Sequence, residues 1–203
     1  MTRDQLLDLY RRSGALLEGH FRLSSGLHSA GYLQCALVLQ HPVHAEALGQ
    51  EIARATEALR PTVVLSPALG GVVIGHEVAR ALGVRALFAE RQDGVLTLRR
   101  GFMLTDTDRV LVVEDVLTTG GSTRETIHVA IAAGGQVVGA ASIVDRSGGK
   151  TSFDVPFHAL VAVDLPTYEP GACPLCAQGL PVVKPGSRPA ARATRLRKIM
   201  NRC

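Results

Sequence analysis

The chain has no tryptophan, three tyrosines and five phenylalanines, so aromatics amount to 4% of its 203 residues. Proteins that hold single-stranded nucleic acid stack bases on aromatic side chains, and this composition leaves few such platforms. No apolar run approaches the roughly 18 to 20 residues that a membrane-spanning helix needs. The opening segment "MTRDQLLDLYRRSG" mixes acids and bases where a secretory signal has an apolar centre, so a cytoplasmic location without a membrane partner is expected. Four cysteines, Cys35, Cys173, Cys176 and Cys203, are too few and too unevenly spread for a disulfide framework, and reduced thiols are expected. Also missing is the glycine-rich loop ending in Gly-Lys-Ser/Thr that cradles nucleoside triphosphates, which disfavours triphosphate hydrolysis.

What is present suits one folded domain with small appendages. Hydrophobic residues make up 46% of the chain, enough to bury a full core at this length. Much of the net charge of +4 lies in the tail "KPGSRPAARATRLRKIMNRC", residues 184–203. That tail reads as a poorly ordered, solvated extension, and no nucleic-acid partner is expected.

Leu6, Leu7, Leu9, Tyr10, Leu16 and Leu17 fall at largely helical spacing over residues 3–18, with Thr2 as N-cap. "GHFRLSSGLHSAGYLQCALVL" alternates glycine turns with apolar residues and reads as a small hairpin outside the main sheet. Pro42 opens a helix through "PVHAEALGQEIARATEAL". Then come the strand "TVVLSP", a helix over 71–81, the segments "VRALFAE" and "GVLTLRR", the strand "RVLVVE", the helix "STRETIHVAIAAG", the strand "QVVGAASIVD" and a last strand near "FHALVAV". Branched aliphatic strands alternating with helices predict an α/β fold: a central, mostly parallel sheet with helices on both faces.

In such sheets ligands bind beyond the carboxyl ends of strands, and Glu114 with Asp115 closes the strand in "VLVVEDVLTTGGS". Adjacent carboxylates there can accept hydrogen bonds from vicinal hydroxyls or reach magnesium through water. Thr118, Thr119, Gly120, Gly121 and Ser122 follow at once, and that composition suits a phosphate. Glycines let backbone N–H groups converge, hydroxyls donate, and the next helix presents its positive end. Gly121 is expected to need a conformation closed to β-branched residues. Acids for a sugar beside a loop for phosphate suit a ribose 5-phosphate.

This stretch resembles the signature of the type I phosphoribosyltransferases, in which two acids precede a hydrophobic pair and a Thr- and Gly-rich loop. The resemblance implies that Glu114 and Asp115 bind the ribose hydroxyls of 5-phosphoribosyl 1-pyrophosphate (PRPP), with Asp115 counted among the catalytic residues. It implies that Thr118 to Ser122 cradle the 5-phosphate. "SPALGG" is similar to the family's pyrophosphate loop, which assigns Ala68, Leu69, Gly70 and Gly71 to the diphosphate. "LLEGHFRLSSGLHSAGYLQCALVLQHP" resembles the N-terminal hood of orotate phosphoribosyltransferases, and the likeness covers most of residues 1–165. Arg146, after "AASIVD", is similar to a base-pocket arginine whose fork suits the carboxylate of orotate; the bland alternative is a surface arginine paired with Asp145. Ser25 and Tyr32 complete the orotate set, and Gly26 and His28 fit the hood pattern.

By resemblance, then, the chain is expected to make orotidine 5′-monophosphate and pyrophosphate from orotate and PRPP, as a homodimer. Magnesium would be held mainly by PRPP and water, with no metal ligand assigned directly. The implied segments are a helix and hood over 1–41, the core over 42–165, a C-terminal segment over 166–183 and the tail. Three departures stand out. Leu69 and Gly70 stand where many relatives have a lysine; Ser24 replaces a hood lysine; and the catalytic loop is shortened to "ERQDGVLTLRRG", with Arg91 as its basic, catalytic residue and Arg99 or Arg100 as substitutes. "CPLC", Cys173 to Cys176, has the spacing of half a zinc knuckle, and no second pair follows it. Buried thiols at a turn, and a metal or disulfide shared across a dimer, both remain open. The rival functions are a phosphoribosyltransferase of other base specificity and a PRPP-binding regulator without catalysis.

Overall fold

A computed structural model describes residues 1–23 and 25–184. Ser24 and residues 185–203, the body of the expected solvated tail, lie outside the described residues. Thr2 caps helix α1 (Arg3–Arg12): its hydroxyl accepts the Gln5 N–H, and the Gln5 side chain accepts the Thr2 N–H in return at 2.9 Å. The helix is shorter than the apolar spacing implies, because Gly14 turns the chain at φ 69°. Leu16 and Leu17 pass instead into strand β1 (Leu16–Arg22).

The chain continues through β2 (His28–Leu33), α2 (Ala36–Leu39), α3 (Pro42–Thr56), β3 (Val63–Pro67), α4 (Gly70–Leu82), β4 (Arg85–Gln92), β5 (Val95–Leu98) and β6 (Arg109–Leu117). After these come α5 (Gly121–Ala132), β7 (Gln136–Asp145), β8 (Phe157–Ala162), β9 (Thr167–Tyr168) and α6 (Pro174–Ala177). Pro42 begins α3, where its missing N–H costs no hydrogen bond, and Gly83 ends α4 at φ 69°.

Six strands form the main sheet in the order β5-β4-β3-β6-β7-β8, and all neighbours run parallel except the β4–β5 hairpin. The hood hairpin is separate, in a three-stranded sheet of order β1-β2-β9. Strand residues alternate between two cores. Val64, Leu111, Val113 and Ile143 pack with α1, α3 and α4, while Val63, Leu65, Val110 and Val112 pack on the α5 side. Helices therefore cover both faces, and the sheet interior reads as continuous apolar sequence. From β3 the chain moves to β4 on one side, and β6 is laid down on the other. The strand order thus reverses between β3 and β6, where an open α/β sheet leaves a crevice at its carboxyl edge.

The described chain divides into two compact units. One comprises Met1–Leu17 and Tyr32–Leu165; the other comprises Glu18–Gly31 and the chain from Pro166 onward. These units cut across the linear segments read from the sequence, because α1 buries Leu6, Leu7, Leu9 and Tyr10 in the larger core. No described helix is long and apolar enough to cross a membrane.

Helices α3 and α4 meet at Gly49. A β-carbon built there would lie 2.7 Å from the Glu77 Cβ and 2.8 Å from its backbone carbon. Gly49→Ala is expected to destabilise the fold by about 1–3 kcal/mol, the usual cost of overpacking a tight contact. Urea unfolding measures it, and an unchanged midpoint would mean that the helices do not approach this closely.

Candidate active site

Two strand ends and two helix starts converge at the point where the strand order reverses. β3 runs out at Pro67 into Ala68 and Leu69, and α4 begins at Gly70. β6 carries Glu114 and Asp115 near its end, and Thr118 to Gly120 lead into α5. Among the described residues, no N-cap side chain caps the first amides of either helix. Both N-termini therefore offer unsatisfied N–H groups and a partial positive charge, a setting suited to anions.

Gly70 brings the two loops together. A β-carbon at this position would lie 2.6 Å from Asp115 Oδ1 and 2.9 Å from Oδ2, so only glycine lets the backbone pass the carboxylate. Gly71 is equally confined, its absent β-carbon falling 2.9 Å from the Val113 carbonyl. Leu69 is 88% exposed, so the loop presents backbone amides and no cation. A cavity of about 350 Å³ opens here, lined by Gln34, Leu39, Leu69, Gly70, Val73 and Asp115 among others. A larger cavity of about 410 Å³, between Arg54, Glu57, Arg60 and Leu82, lies before β3 at the opposite edge of the sheet and has no part in this geometry.

The acids are half-buried, and both are shifted. Burial first, and then the neighbouring Asp115, lifts Glu114 from the ordinary 4.5 to about 7, against the opposing hydrogen bond from the Thr123 hydroxyl to its Oε2. Burial also raises Asp115, opposed by backbone N–H groups. Beneath Asp115 sit a buried thiol and phenol, with the Tyr10 hydroxyl 3.0 Å from Cys35 Sγ; burial pushes both upward, so they stay neutral.

In the loop expected to hold phosphate, the left-handed residue is Gly120, at φ 77°, not Gly121, which already belongs to α5. A β-carbon on Gly121 would touch only Thr119 Oγ1, at 3.7 Å, whereas one on Gly120 would meet Thr151 Cγ2 at 2.7 Å. The composition of the loop left that choice open; backbone geometry decides it. Arg124, a residue that sequence reading passed over, braces the loop from behind. Its guanidinium donates to the Thr119 carbonyl at 2.9 Å and the Ser152 carbonyl at 3.1 Å, and it lies over the Phe153 ring.

Arg146 follows β7, its N–H bound to the Leu117 carbonyl at 2.7 Å. Asp145 Oδ1 accepts the Ser147 N–H at 2.7 Å, and Arg146 itself is half-buried, not a surface residue. Arg146 Nε is buried with no hydrogen-bond partner among the described residues. Burial lowers the guanidinium's affinity for its proton, and Tyr32 opposes that effect. A buried donor of this kind is costly until something accepts from it. Ser25 lies in the hood turn of the second unit, exposed, with its hydroxyl 3.5 Å from the Leu27 N–H.

The segment expected as a shortened loop is a hairpin. Asp93 and Gly94, at φ 51° and 86°, turn β4 into β5, the backbone that an Asp-Gly turn favours. Arg91 donates to the Gly94 carbonyl at 2.7 Å and pairs with Glu125 of α5 at 2.8 Å. Arg99 and Arg100 both pair with Glu90, which accounts for those two cations without a substrate.

A family model described as a phosphoribosyl transferase domain matches residues 40–155. The orotate phosphoribosyltransferase of Pelotomaculum thermopropionicum is 53% identical over 188 residues, covering 93% of this chain and 99% of its own. That of Carboxydothermus hydrogenoformans is 54% identical, covering 90% and 98%. Among solved structures, orotate phosphoribosyltransferase from Aeropyrum pernix superposes with a TM-score of 0.67 at 25% identity, covering 78% of this chain and 93% of that one. The Mycobacterium tuberculosis enzyme in complex with PRPP gives 0.62 at 27% identity, covering 79% and 95%.

The shift at Glu114 has a sign that can be checked. A carboxyl raised from 4.5 to about 7 binds its proton more tightly in the folded state. Its contribution to stability is therefore full below the unfolded value and declines as the pH rises towards the folded one. Glu114→Gln removes this titration. The melting temperature of the variant minus that of the parent should rise by a few degrees between about pH 5 and about pH 8. A difference independent of pH would show that Glu114 is not held in a desolvated setting.

Proposed function

The chain belongs to the orotate phosphoribosyltransferase family, and from that premise we infer how its own residues transfer the 5-phosphoribosyl group from PRPP to orotate in pyrimidine biosynthesis. The observation that carries the reading is the packing of Asp115 against Gly70. It brings the acid pair and the pyrophosphate loop to one point, as a ribose that bears a 1-diphosphate requires.

In this reading Glu114 and Asp115 accept hydrogen bonds from the ribose hydroxyls. Thr118, Thr119, Gly120, Gly121 and Ser122 hold the 5-phosphate at the start of α5, and Ala68, Leu69, Gly70 and Gly71 offer amides to the diphosphate at the start of α4. The oxygen-only donors of the acid pair fit magnesium reached through water. When bound with PRPP, that ion would offset diphosphate charge. With Leu69 in place of a lysine, the loop itself relies on amides and the helix dipole.

The C1′–O bond breaks with its electron pair leaving on pyrophosphate, and a ring nitrogen of orotate forms the new bond to C1′ as its proton passes to the departing pyrophosphate or to water. Positive charge grows on the ribose meanwhile, and no side-chain nucleophile is needed. Half-buried carboxylates beneath the sugar suit that charge. Arg91 serves the departing pyrophosphate by exchanging Glu125 for it. Arg146 takes the orotate carboxylate through the fork whose Nε has no partner among the described residues, with Tyr32 beside it and Ser25 of the hood as a further contact. A cytoplasmic homodimer completes the proposal.

Arg146→Ala tests it. Truncating one partner of a buried charge pair costs roughly 2–5 kcal/mol. At about 1.4 kcal/mol per tenfold, kcat/KM for orotate should fall about 30-fold to several thousand-fold, with the KM for PRPP little changed. Spectrophotometric loss of orotate measures it, with uracil as a second substrate that the variant should reject less strongly. Retention of orotate kcat/KM within about threefold would remove Arg146 from the base site.

A further inference from the structure

Among the described residues of the second unit, the only buried residues are Gly31, which has no side chain, and five whose side chains are buried: His20, Phe21, His28, Ser29 and Cys173. So small an apolar interior does not hold two chain segments together unaided, and units of this size rely on a staple. Three of those five side chains converge on one another, together with Cys176.

His20 Nε2 lies 2.8 Å from His28 Nδ1, 3.6 Å from Cys173 Sγ and 3.8 Å from Cys176 Sγ, and His28 Nδ1 lies 3.3 Å from Cys176 Sγ. All four atoms fall within 4.8 Å of one another. A tetrahedral zinc ion bonded at about 2.0–2.1 Å to nitrogen and about 2.3 Å to sulfur has N···S edges of about 3.6 Å. The N···S distances of 3.3, 3.6 and 3.8 Å bracket that edge. His20 Nδ1 is 2.8 Å from the Leu180 carbonyl. A carbonyl only accepts, so Nδ1 carries the hydrogen and Nε2 turns its lone pair into the cluster, the second hydrogen bond typical of a metal-binding histidine. The short helix α6 sets Cys173 and Cys176 three residues apart on one side, and both are free thiols.

We propose that His20, His28, Cys173 and Cys176 form a closed structural site for zinc. Two imidazoles and two thiolates favour zinc over magnesium or calcium, whose preferred donors are oxygens. Four protein ligands leave no open position for substrate, so the ion is structural. Each thiol gives up its proton on binding, and the ion then ties the hood hairpin to the C-terminal segment within this unit. The turn that carries Ser25 lies between His20 and His28, so the ion also fixes a candidate substrate contact. That last consequence rests on the functional reading; the site does not.

The test uses the untagged full-length chain, grown with zinc and dialysed against EDTA. Plasma mass spectrometry should find about one zinc per chain. Stripping with a stronger chelator should lower the melting temperature, and added zinc should restore it. Cobalt added to the stripped chain should give visible d–d bands of tetrahedral intensity and a near-ultraviolet thiolate charge-transfer band, which Cys176→Ser weakens. If that variant does not fold, the parent's cobalt spectrum decides alone, since charge-transfer intensity counts the thiolates. A chain that takes up neither zinc nor cobalt overturns the site and leaves a hydrogen-bonded quartet in its place. Orotate assays on the same samples separate the two readings: a zinc-free chain that turns over orotate with its melting temperature unaltered by zinc overturns this inference and leaves the function standing.

Discussion

Two adjacent carboxylates held half out of water set the terms for the residues around them. Burial raises both, and a charge kept there needs donors close by. Thr123 supplies one to Glu114, and backbone N–H groups supply others to Asp115. The facing loop can approach Asp115 only because position 70 has no side chain. These constraints coincide where the strand order reverses, which leaves a crevice between two uncapped helix starts. The result is a site with acids in the middle and helix N-terminal amides, a setting suited to anions, on either side. A ribose carrying phosphate at one end and diphosphate at the other complements that order of charges.

Arg146 poses the complementary problem. Its Nε is buried with no hydrogen-bond partner among the described residues, while Asp145, the nearest acid in sequence, accepts from the Ser147 amide. A fold that leaves a guanidinium nitrogen in this condition is destabilised unless a ligand accepts from it. A planar carboxylate matches that fork, and orotate differs from uracil by such a group. Base selection in this account is therefore a matter of satisfying a donor that the protein itself does not satisfy.

Periodicity and turn chemistry made most of the main sheet legible. Runs such as "RVLVVE" and "QVVGAASIVD" allow little but buried parallel strands, and the string of acids, threonines and glycines marks the turn between β6 and α5. What remained hidden was non-local or geometric. Leu16 and Leu17 fit a helical stripe, yet Gly14 diverts them into a strand. Composition alone does not distinguish Gly120 from Gly121; the left-handed φ and the nearby Thr151 do. Arg124 resembles any exposed helix residue until its contacts with two carbonyls are visible. "CPLC" looked like half a site because its partners, His20 and His28, precede it by well over a hundred residues and reach it only through the fold. His28 had fitted the hood pattern well enough to hide that second role.

The central claim is that the carboxylate at Asp115 holds the ribose of PRPP, and the most direct measurement is calorimetric titration of PRPP, with magnesium, into Asp115→Asn. A hydrogen bond to a charged group contributes about 1.5–3 kcal/mol. The account predicts an affinity loss of about 10-fold to about 100-fold, at about 1.4 kcal/mol per tenfold, in a variant that still unfolds cooperatively. Parental affinity for PRPP in a folded Asp115→Asn protein would contradict it.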